Sequence, residues 1–206
     1  SKVNQYSEKL ARIDALRAIQ FSDVVILLLD ATKPMERQDL HLADLVEEEG
    51  RAIVVAVNKY DLIEDKDTFE DTLKELRETK LSQIKLQKII KLTALDGSGN
   101  AKLMESVFSA YEVWNKRIST GALNNWLNEV LTKHQPPAKS GRRIKLRYIT
   151  QISARPPTFV IFCSYPDSVP ESYKRFLVNE LRVAFEFPAV AIRIHLRKGR
   201  NPFEDN

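Results

Sequence analysis

Residues 58–61 bring a carboxamide, an ammonium group and a carboxylate together directly after the apolar run 52–57: Asn58-Lys59-Tyr60-Asp61. The run predicts a buried strand, and open α/β sheets bind ligands at the carboxyl ends of their strands. A fixed carboxylate at Asp61 could accept two hydrogen bonds from guanine, one from ring N1–H and one from the exocyclic amine. Adenine offers no such pair of donors, and a site built to hydrogen-bond its ligand rejects an analogue that lacks those groups. The spacing Asn-Lys-x-Asp therefore predicts a guanine-binding loop.

A second segment, about one strand–helix–strand interval later, supports this hypothesis. Residues 88–92 predict another strand, which is followed by Thr93-Ala94-Leu95 and then by Asp96-Gly97-Ser98-Gly99. In GTP-binding proteins a short Ser/Thr-Ala-x loop after the next strand gives backbone N–H groups to guanine O6. The alternative is a polar turn at 58–61 and a helix cap at Thr93. The two segments in this order favour the guanine site.

The phosphate-binding sequence Gly-x-x-x-x-Gly-Lys-Ser/Thr occurs nowhere in the chain. Nothing in this sequence is therefore expected to cradle the β- and γ-phosphates or to hold Mg²⁺. Residues 96–99 have the Asp-x-x-Gly form of a switch motif, but they follow the guanine loop, so we interpret them as a turn closing onto a helix. The helix-like segment 6–19 is typical of the helix after a switch region. The chain resembles the back half of a GTPase domain, with its catalytic and metal-holding residues expected upstream of residue 1.

The first 118 residues alternate strand and helix patterns, which predicts an α/β fold with a parallel, doubly wound sheet. Strands are predicted at residues 24–29, 53–57 and 88–92, and the run 24–29 has the continuous apolar character of a strand buried on both faces. Helices are predicted around residues 40–46, 69–81 and 101–118. The last helix is expected to turn six apolar residues inward: Leu103, Met104, Val107, Phe108, Tyr111 and Trp114.

Charge divides the chain near residue 118. Residues 1–118 carry 18 basic and 21 acidic residues, whereas residues 119–206 carry 14 and 7, a net of +7. Such asymmetry indicates different partners for the two parts. We therefore predict two domains, 1–118 and 119–206, of which the first is the carboxyl-terminal part of a GTPase domain.

The second part has the element order α-β-β-α-β, a small α+β domain of KH-like type. Helices are predicted at 123–133 and 171–185, with strands around 144–148 and 159–163 and a last strand after residue 190. In the first of these strands Ile144, Leu146 and Tyr148 alternate with basic residues and are expected to face the core. In the last strand Val190, Ile192, Ile194 and Leu196 are expected on one side.

Composition sets further bounds. A single cysteine, Cys163, rules out an intrachain disulfide and suits a reducing cytoplasm. The apolar runs are well short of a bilayer span, so we expect no membrane insertion. The three histidines show no metal-ligand spacing.

Taken together, the chain resembles the carboxyl-terminal portion of the bacterial Der (EngA) GTPases, which carry two tandem GTPase domains and a KH-like domain. The resemblance covers nearly all 206 residues. It rests on the two loops above and on four further segments: Pro156-Pro157-Thr158-Phe159, Tyr173-Lys174-Arg175-Phe176-Leu177, Asn179-Glu180-Leu181-Arg182, and the tail from Ile192-Arg193 to Arg200-Asn201-Pro202-Phe203. A departure is Pro188-Ala189-Val190, which stands where the family has a glycine turn.

The resemblance implies a GTP hydrolase that acts in assembly of the large ribosomal subunit, with GTP or GDP as ligand and Mg²⁺ in the full-length protein. Asp61 would read the guanine N–H groups, and the Lys59 stem would lie along the base and ribose. Asn58 would tie this loop to the phosphate loop, while Thr93, Ala94 and Leu95 would form a second wall. This chain alone is predicted to be inactive.

Basic side chains in the second part are candidates for contact with ribosomal RNA or with an upstream GTPase domain of the same protein. They are Arg142, Arg143, Lys145, Arg147, Arg193, Arg197, Lys198 and Arg200. The Gly-x-x-Gly loop with which KH domains clamp RNA is absent from the sequence, so we expect no base-specific readout. Two alternatives stay open: an Era-type GTPase with an RNA-binding KH domain, and a degenerate GTPase fold that is a scaffold or RNA-binding protein without hydrolysis.

Overall fold

The computed structural model describes residues 13–34, 36–82, 84–86, 88–138 and 143–199. The chain divides into two compact units. The first comprises Ser1–Trp114 with Pro188–Ala191, and the second comprises Asn115–Phe187 with Ile192–Asn206. The predicted contacts Arg142 and Arg200, the tail from residue 200 onward and the first part of the segment 6–19 lie outside the described residues.

The first unit is built on a parallel sheet in the order β1-β2-β3, as the alternating pattern predicts. The strands are β1 (Val24–Asp30), β2 (Ala52–Asn58) and β3 (Ile90–Lys91). The helices are α1, which is described over residues 13–20, and α2 (Arg37–Glu48), α3 (Lys66–Glu78) and α4 (Asn100–Trp114). A 3₁₀ turn, Tyr60–Leu62, follows β2.

Strand β2 is buried from Ala52 to Val57 because helices cover both of its faces. On one face Val55 and Val57 pack with apolar residues of α2 and α3, and on the other Val54 and Ala56 pack with α4. Strand β1 does not share this environment, so the prediction that it is buried on both faces is wrong. Leu27 and Leu29 face the first core, but Ile26 and Leu28 are 41% and 50% exposed.

Helix α4 packs on the sheet through Leu103, Val107 and Ala110, and Trp114 is buried at its end. Of the six residues expected to turn inward, Met104 and Phe108 are instead 47% and 64% exposed. Both side chains therefore lie outside the face of α4 that packs on the described sheet.

Helix α4 ends four residues before the predicted Ile118. The reason is that the backbone beyond it is already bonded within the second unit. The Gln151 side chain accepts from Ile118 N–H at 2.8 Å and donates to Lys116 O at 3.0 Å. These backbone groups therefore cannot continue the helical ladder.

The second unit has the predicted order α-β-β-α-β. It contains α5 (Thr120–Lys133), β4 (Leu146–Ser153), β5 (Thr158–Cys163), α6 (Glu171–Ala184) and β6 (Arg193–Lys198). The sheet order is β4-β5-β6, with β4 antiparallel and β6 parallel to β5. Cys163 is a buried strand residue, and burial raises the pKa of its thiol.

A β-bulge changes which residues of β4 face the core. Ile144 and Leu146 are buried as predicted, but the register shifts between Leu146 and Tyr148. Because one extra residue reverses the alternation, Ile149 takes the fully buried position and Tyr148 is half-buried against Phe162, with ring centroids 6.1 Å apart.

The last strand begins at Arg193, so the prediction that Val190 and Ile192 belong to it is wrong, whereas Ile194 and Leu196 alternate with exposed polar neighbours as predicted. Before it, Ala189 has φ 53°, the left-handed conformation that a glycine would adopt without strain. Alanine thus takes up the backbone conformation for which the expected glycine is suited. None of the helices in the described parts of the chain is long and apolar enough to cross a membrane.

Candidate guanine-binding site

The carboxyl ends of the three parallel strands place the two predicted loops side by side. In the sheet register Asp30 lies opposite Asn58, and Val57 lies opposite Lys91. The loop 58–62 leaves β2 and the loop 93–95 follows β3. Tyr60 N–H donates to Leu92 O at 3.3 Å and so joins the two strand ends.

Asn58 links the two loops directly. Its Oδ1 accepts a hydrogen bond from the backbone N–H of Ala94 at 2.9 Å. The resemblance assigned Asn58 to a link with the phosphate loop, but within the described residues its carbonyl oxygen is bonded to the second guanine loop. The Ala94 N–H is therefore already hydrogen-bonded. In the same loop, the Leu95 N–H has no hydrogen-bonding partner among the described residues.

The backbone turn after β2 directs the charged residues of the motif. Lys59 has φ 64°, a left-handed conformation that is uncommon outside glycine, and its carbonyl accepts from Leu62 N–H at 3.1 Å. Asp61 lies in the resulting 3₁₀ turn. In the described part of the chain its carboxylate has no hydrogen-bonding partner, so it is free to accept from a ligand.

One open cavity of about 530 Å³ is lined by all six of the predicted nucleotide-binding residues, together with Leu62. They are Asn58, Lys59, Asp61, Thr93, Ala94 and Leu95. Thr93 is buried, whereas Leu62 and Leu95 are 58% and 94% exposed and give the cavity apolar walls. A planar base with two N–H donors on one edge matches these walls and the Asp61 carboxylate. Guanine binding itself stays a prediction.

Sequence reasoning missed Asp30 at the end of β1. Its Oδ2 accepts from Lys59 Nζ at 2.6 Å, and its Oδ1 accepts from both Thr32 N–H and Thr32 Oγ1–H, at 2.9 and 2.7 Å. The bond from Lys59 and the two from Thr32 hold the pKa of the Asp30 carboxyl well below its usual range. The sequence does contain a signal for Asp30 as a site residue, because Asp30 follows the apolar run 24–29 just as Asn58 follows the run 52–57.

Residues 96–99 form a turn that leads into α4, as predicted from their position in the chain. Asp96 Oδ1 accepts from Ser98 N–H at 2.8 Å, and Thr93 pairs with Ser98 as an isolated bridge. Gly99 has φ 88°, and a Cβ there would collide with the carbonyl of Lys91. The turn therefore supports the 93–95 loop rather than forming a switch.

No group of three or more His, Cys, Asp or Glu side chains comes together in the described ranges in a way that could hold a metal ion. Two carboxylates, Asp61 and Asp30, lie near the cavity. Asp30 is already bonded to Lys59 and Thr32, so it does not join Asp61 as a metal ligand. This donor set does not form a Mg²⁺ site.

The basic residues of the second unit fall into two sets. Arg143, Lys145 and Arg147 line a second open cavity, of about 520 Å³, and Arg143 donates to Gln135 Oε1 at 2.7 Å. The other set, Arg193, Arg197 and Lys198, lies on β6, which β5 separates from β4. The structure thus brings three of the predicted contacts together at one place.

Comparison with known protein families gives one match for each part of the chain. Residues 12–113 match the elongation factor Tu GTP-binding domain. Residues 117–197 match the KH-domain-like family of EngA bacterial GTPase enzymes, described as carboxyl-terminal.

Among curated proteins, the chain is similar to proteins named GTPase Der. It is 48% identical over 205 residues to the protein of Parvibaculum lavamentivorans and 50% identical over 205 residues to that of Allorhizobium ampelinum. A protein from Rhodopseudomonas palustris is 50% identical over 203 residues. These alignments cover 98–100% of this chain but only 43–44% of each relative, so the chain spans about two fifths of their length.

Among solved structures, two of the GTPase Era align with this chain. One is Aquifex aeolicus Era bound to GDP and AlF4⁻, at 14% identity, and the other is Era with MgGDPNP and a 16S ribosomal RNA segment, at 15% identity. Each match covers 89% of this chain and 68% of the Era chain, with a TM-score of 0.42.

Proposed function

Because the chain belongs to the Der (EngA) family of bacterial GTPases, we propose that its full-length protein binds and hydrolyses GTP and that this chain supplies the guanine-binding part of the site. The observation that carries the proposal is the cavity that all six predicted nucleotide-binding residues line. Two segments separated by a strand–helix–strand interval in sequence converge there, and their contact is made by Asn58 and Ala94.

In this proposal the exposed carboxylate of Asp61 accepts from guanine N1–H and from the exocyclic amine. The Lys59 stem covers one face of the base, with Leu62 and Leu95 as apolar neighbours. The free N–H of Leu95 donates to guanine O6, since the N–H of Ala94 is bonded to Asn58. Adenine would leave the carboxylate without its two donors.

Hydrolysis needs phosphate contacts and Mg²⁺, which this chain is not suited to provide. Mg²⁺ would be held in the full-length protein by residues outside this sequence. The exposure of the apolar Ile26 and Leu28 on β1, and of Met104 and Phe108 on α4, supports packing of further chain on the first unit in the full-length protein.

We therefore expect the 206-residue chain by itself to hydrolyse no GTP and to bind GDP weakly, because phosphate and Mg²⁺ contacts supply most of the affinity of such sites. Calorimetric titration of the purified chain with GDP measures this. Tight binding would contradict the assignment of the missing contacts to other parts of the protein.

The biological role that we propose is assembly of the large ribosomal subunit in the cytoplasm. The cavity bearing Arg143, Lys145 and Arg147 supports contact with ribosomal RNA through phosphates. Docking of the same surface on another domain of the full-length protein is the competing role. The Era-type alternative is less favoured, because residues 117–197 match the EngA module.

The test of the guanine assignment is Asp61→Asn in the full-length protein. The amide loses the acceptor for one guanine donor but can donate to the carbonyl that xanthine carries at position 2. We expect GTP affinity to fall by roughly a hundredfold or more and affinity for xanthosine triphosphate to rise. Competition titrations with both nucleotides measure the exchange of preference.

One result would count against the proposal, and another would call for a second variant. Unchanged GTP affinity in Asp61→Asn would remove Asp61 from the site. Loss of both affinities with a lowered melting temperature would indicate misfolding, in which case Asp61→Glu, which keeps the charge, decides whether carboxylate position controls binding.

A further inference from the structure

We propose that Asp30 is a positioning residue of the guanine site, which holds the Lys59 side chain in the orientation that covers the base. The inference rests on the proposed function, since it assigns a role within the same cavity. Asp30 does not line that cavity and would not touch the nucleotide. It acts through Lys59.

The Asp30 carboxylate is itself held in place from two sides. One oxygen accepts both the N–H and the hydroxyl of Thr32, which is two residues on, and the other oxygen is directed at Lys59 Nζ, 2.6 Å away. The backbone next to Asp30 is also tied to the end of β2, because Ala31 N–H donates to Asn58 O at 2.9 Å. A side chain bonded at both oxygens offers Lys59 one direction of approach.

Lys59 needs such a partner for two reasons. Its backbone adopts the left-handed conformation, which persists for a residue other than glycine only where the surroundings favour it. Its side chain is 52% exposed, and a lysine has many rotamers when nothing anchors its end. Binding the ammonium group at one end and the backbone at the other leaves the methylene stem in a single path along the cavity.

The ion pair also determines how much of the Lys59 positive charge a bound base would meet. With Asp30 ionised, the ammonium charge of Lys59 is compensated by a carboxylate that does not itself line the cavity. The lowered pKa of Asp30 keeps its carboxylate ionised throughout the neutral range. Exposed ion pairs contribute little to stability, so the effect of removing this one should fall on binding.

The first test is Asp30→Asn in the full-length protein. The substitution retains an oxygen for Thr32 but replaces the acceptor of Lys59 by an amide donor. We expect affinity for GDP to fall about three- to tenfold while the melting temperature is unchanged. Asp71→Asn is the matched control, since it removes the same charge from an exposed position of α3, outside the cavity, and should leave GDP affinity as it is.

The second test separates action through Lys59 from a general loss of structure. In a Lys59→Met background, which keeps a stem and removes the ammonium group, Asp30→Asn should have no further effect on GDP affinity. Equal effects in both backgrounds would overturn the inference. A second readout that needs no nucleotide is hydrogen exchange of the Lys59 ammonium group by NMR, which should become faster in Asp30→Asn.

The possible failures are distinguishable. A parent protein with no preference for guanine nucleotides would refute the proposed function. A parent that prefers guanine, with Asp30→Asn and Asp71→Asn both binding GDP as the parent does, would refute the role of Asp30 alone.

Discussion

Asn58 shows how one side chain can join two loops that line the same cavity. Its Oδ1 bonds to the N–H of Ala94 at 2.9 Å, and this is a side-chain bond between two loops that the chain separates by a whole helix. The bond determines which backbone N–H groups of the second loop are left for a base. A short polar residue at the end of β2 thus determines the shape of a cavity wall that belongs to β3.

At this residue scale we expect Asn58→Ala to lower guanine nucleotide affinity by about three- to tenfold, which corresponds to the loss of one net hydrogen bond. Stability should change little, because the bond lies at the protein surface. Fluorescence titration with a labelled GDP, alongside thermal melting, measures both quantities.

The matched control is Asn125→Ala, on an exposed face of α5. An equal loss of affinity in both variants would show that the link between the loops has no part in binding. An unchanged affinity in Asn58→Ala would lead to the same conclusion.

At the scale of elements, a partly buried hydroxyl links α6 to the end of α5 in the second unit. Tyr173 on α6 donates to the carbonyl of His134, the residue that follows α5, at 2.6 Å. The tyrosine ring also packs against Phe176, with centroids 5.5 Å apart. Burial of the phenol disfavours its ionised form and raises the pKa of Tyr173 to about 12.

This shift predicts a stability change at high pH. The folded pKa lies above the unfolded value near 10, so the contribution of Tyr173 is present below pH 10 and declines as the pH rises from about 10 to 12. Tyr173→Phe should cost roughly 1 kcal/mol at neutral pH and should remove this part of the alkaline decline. Denaturant unfolding of both proteins at a series of pH values measures the difference.

The comparison between the two proteins isolates the tyrosine from lysines that titrate in the same range. Parallel stability curves from pH 8 to 12 would show that another group is responsible for the decline. The variant Tyr165→Phe serves as a control, because that ring is 39% exposed.

At the scale of the whole molecule, the two parts of the chain have different charge and different chemistry. The first, net −3, carries a cavity suited to a base, and the second, net +7, carries a cavity with three cations. In the role that we propose, the second cavity meets the phosphate backbone of RNA, and contacts with phosphates make binding depend on salt.

We expect RNA binding by the chain to weaken steeply with salt and to depend little on RNA sequence. Replacing Arg143, Lys145 and Arg147 by glutamine should flatten the slope by about two to three units, at roughly 0.7–0.9 per phosphate contact. The fold should survive, because all three side chains are exposed. Affinity for a ribosomal RNA fragment at several salt concentrations gives the slope.

A control with the same charge change replaces Lys33, Lys80 and Lys85, which are exposed residues of the first unit. If the salt slope flattens equally in the control, the change in slope comes from net charge and not from the cavity that bears Arg143, Lys145 and Arg147. A slope unchanged in both would favour docking on another domain, which predicts a less stable full-length protein and the same RNA affinity.

The sequence by itself determined the element order, the parallel α/β class and the two loops. Local chemistry is sufficient for these features, because the spacing of apolar residues and the identity of turn residues determine backbone structure within a few positions of the chain. The end of α2 at Glu48, two residues before Gly50 with its φ of 72°, and the alternation in β6 follow from such local rules. The guanine motif could be found for the same reason, since its four residues are contiguous.

Only the tertiary structure decided the contacts between distant segments. The bulge that exchanges Tyr148 for Ile149 depends on the partner strand, and the end of α4 depends on Gln151, 33 residues beyond Ile118. The exposure of Ile26 and Leu28 depends on what covers β1, and an apolar run cannot report that. Asp30 meets Lys59 because parallel strands align their carboxyl ends, so residues 29 apart become hydrogen-bond partners through a register that no local pattern encodes.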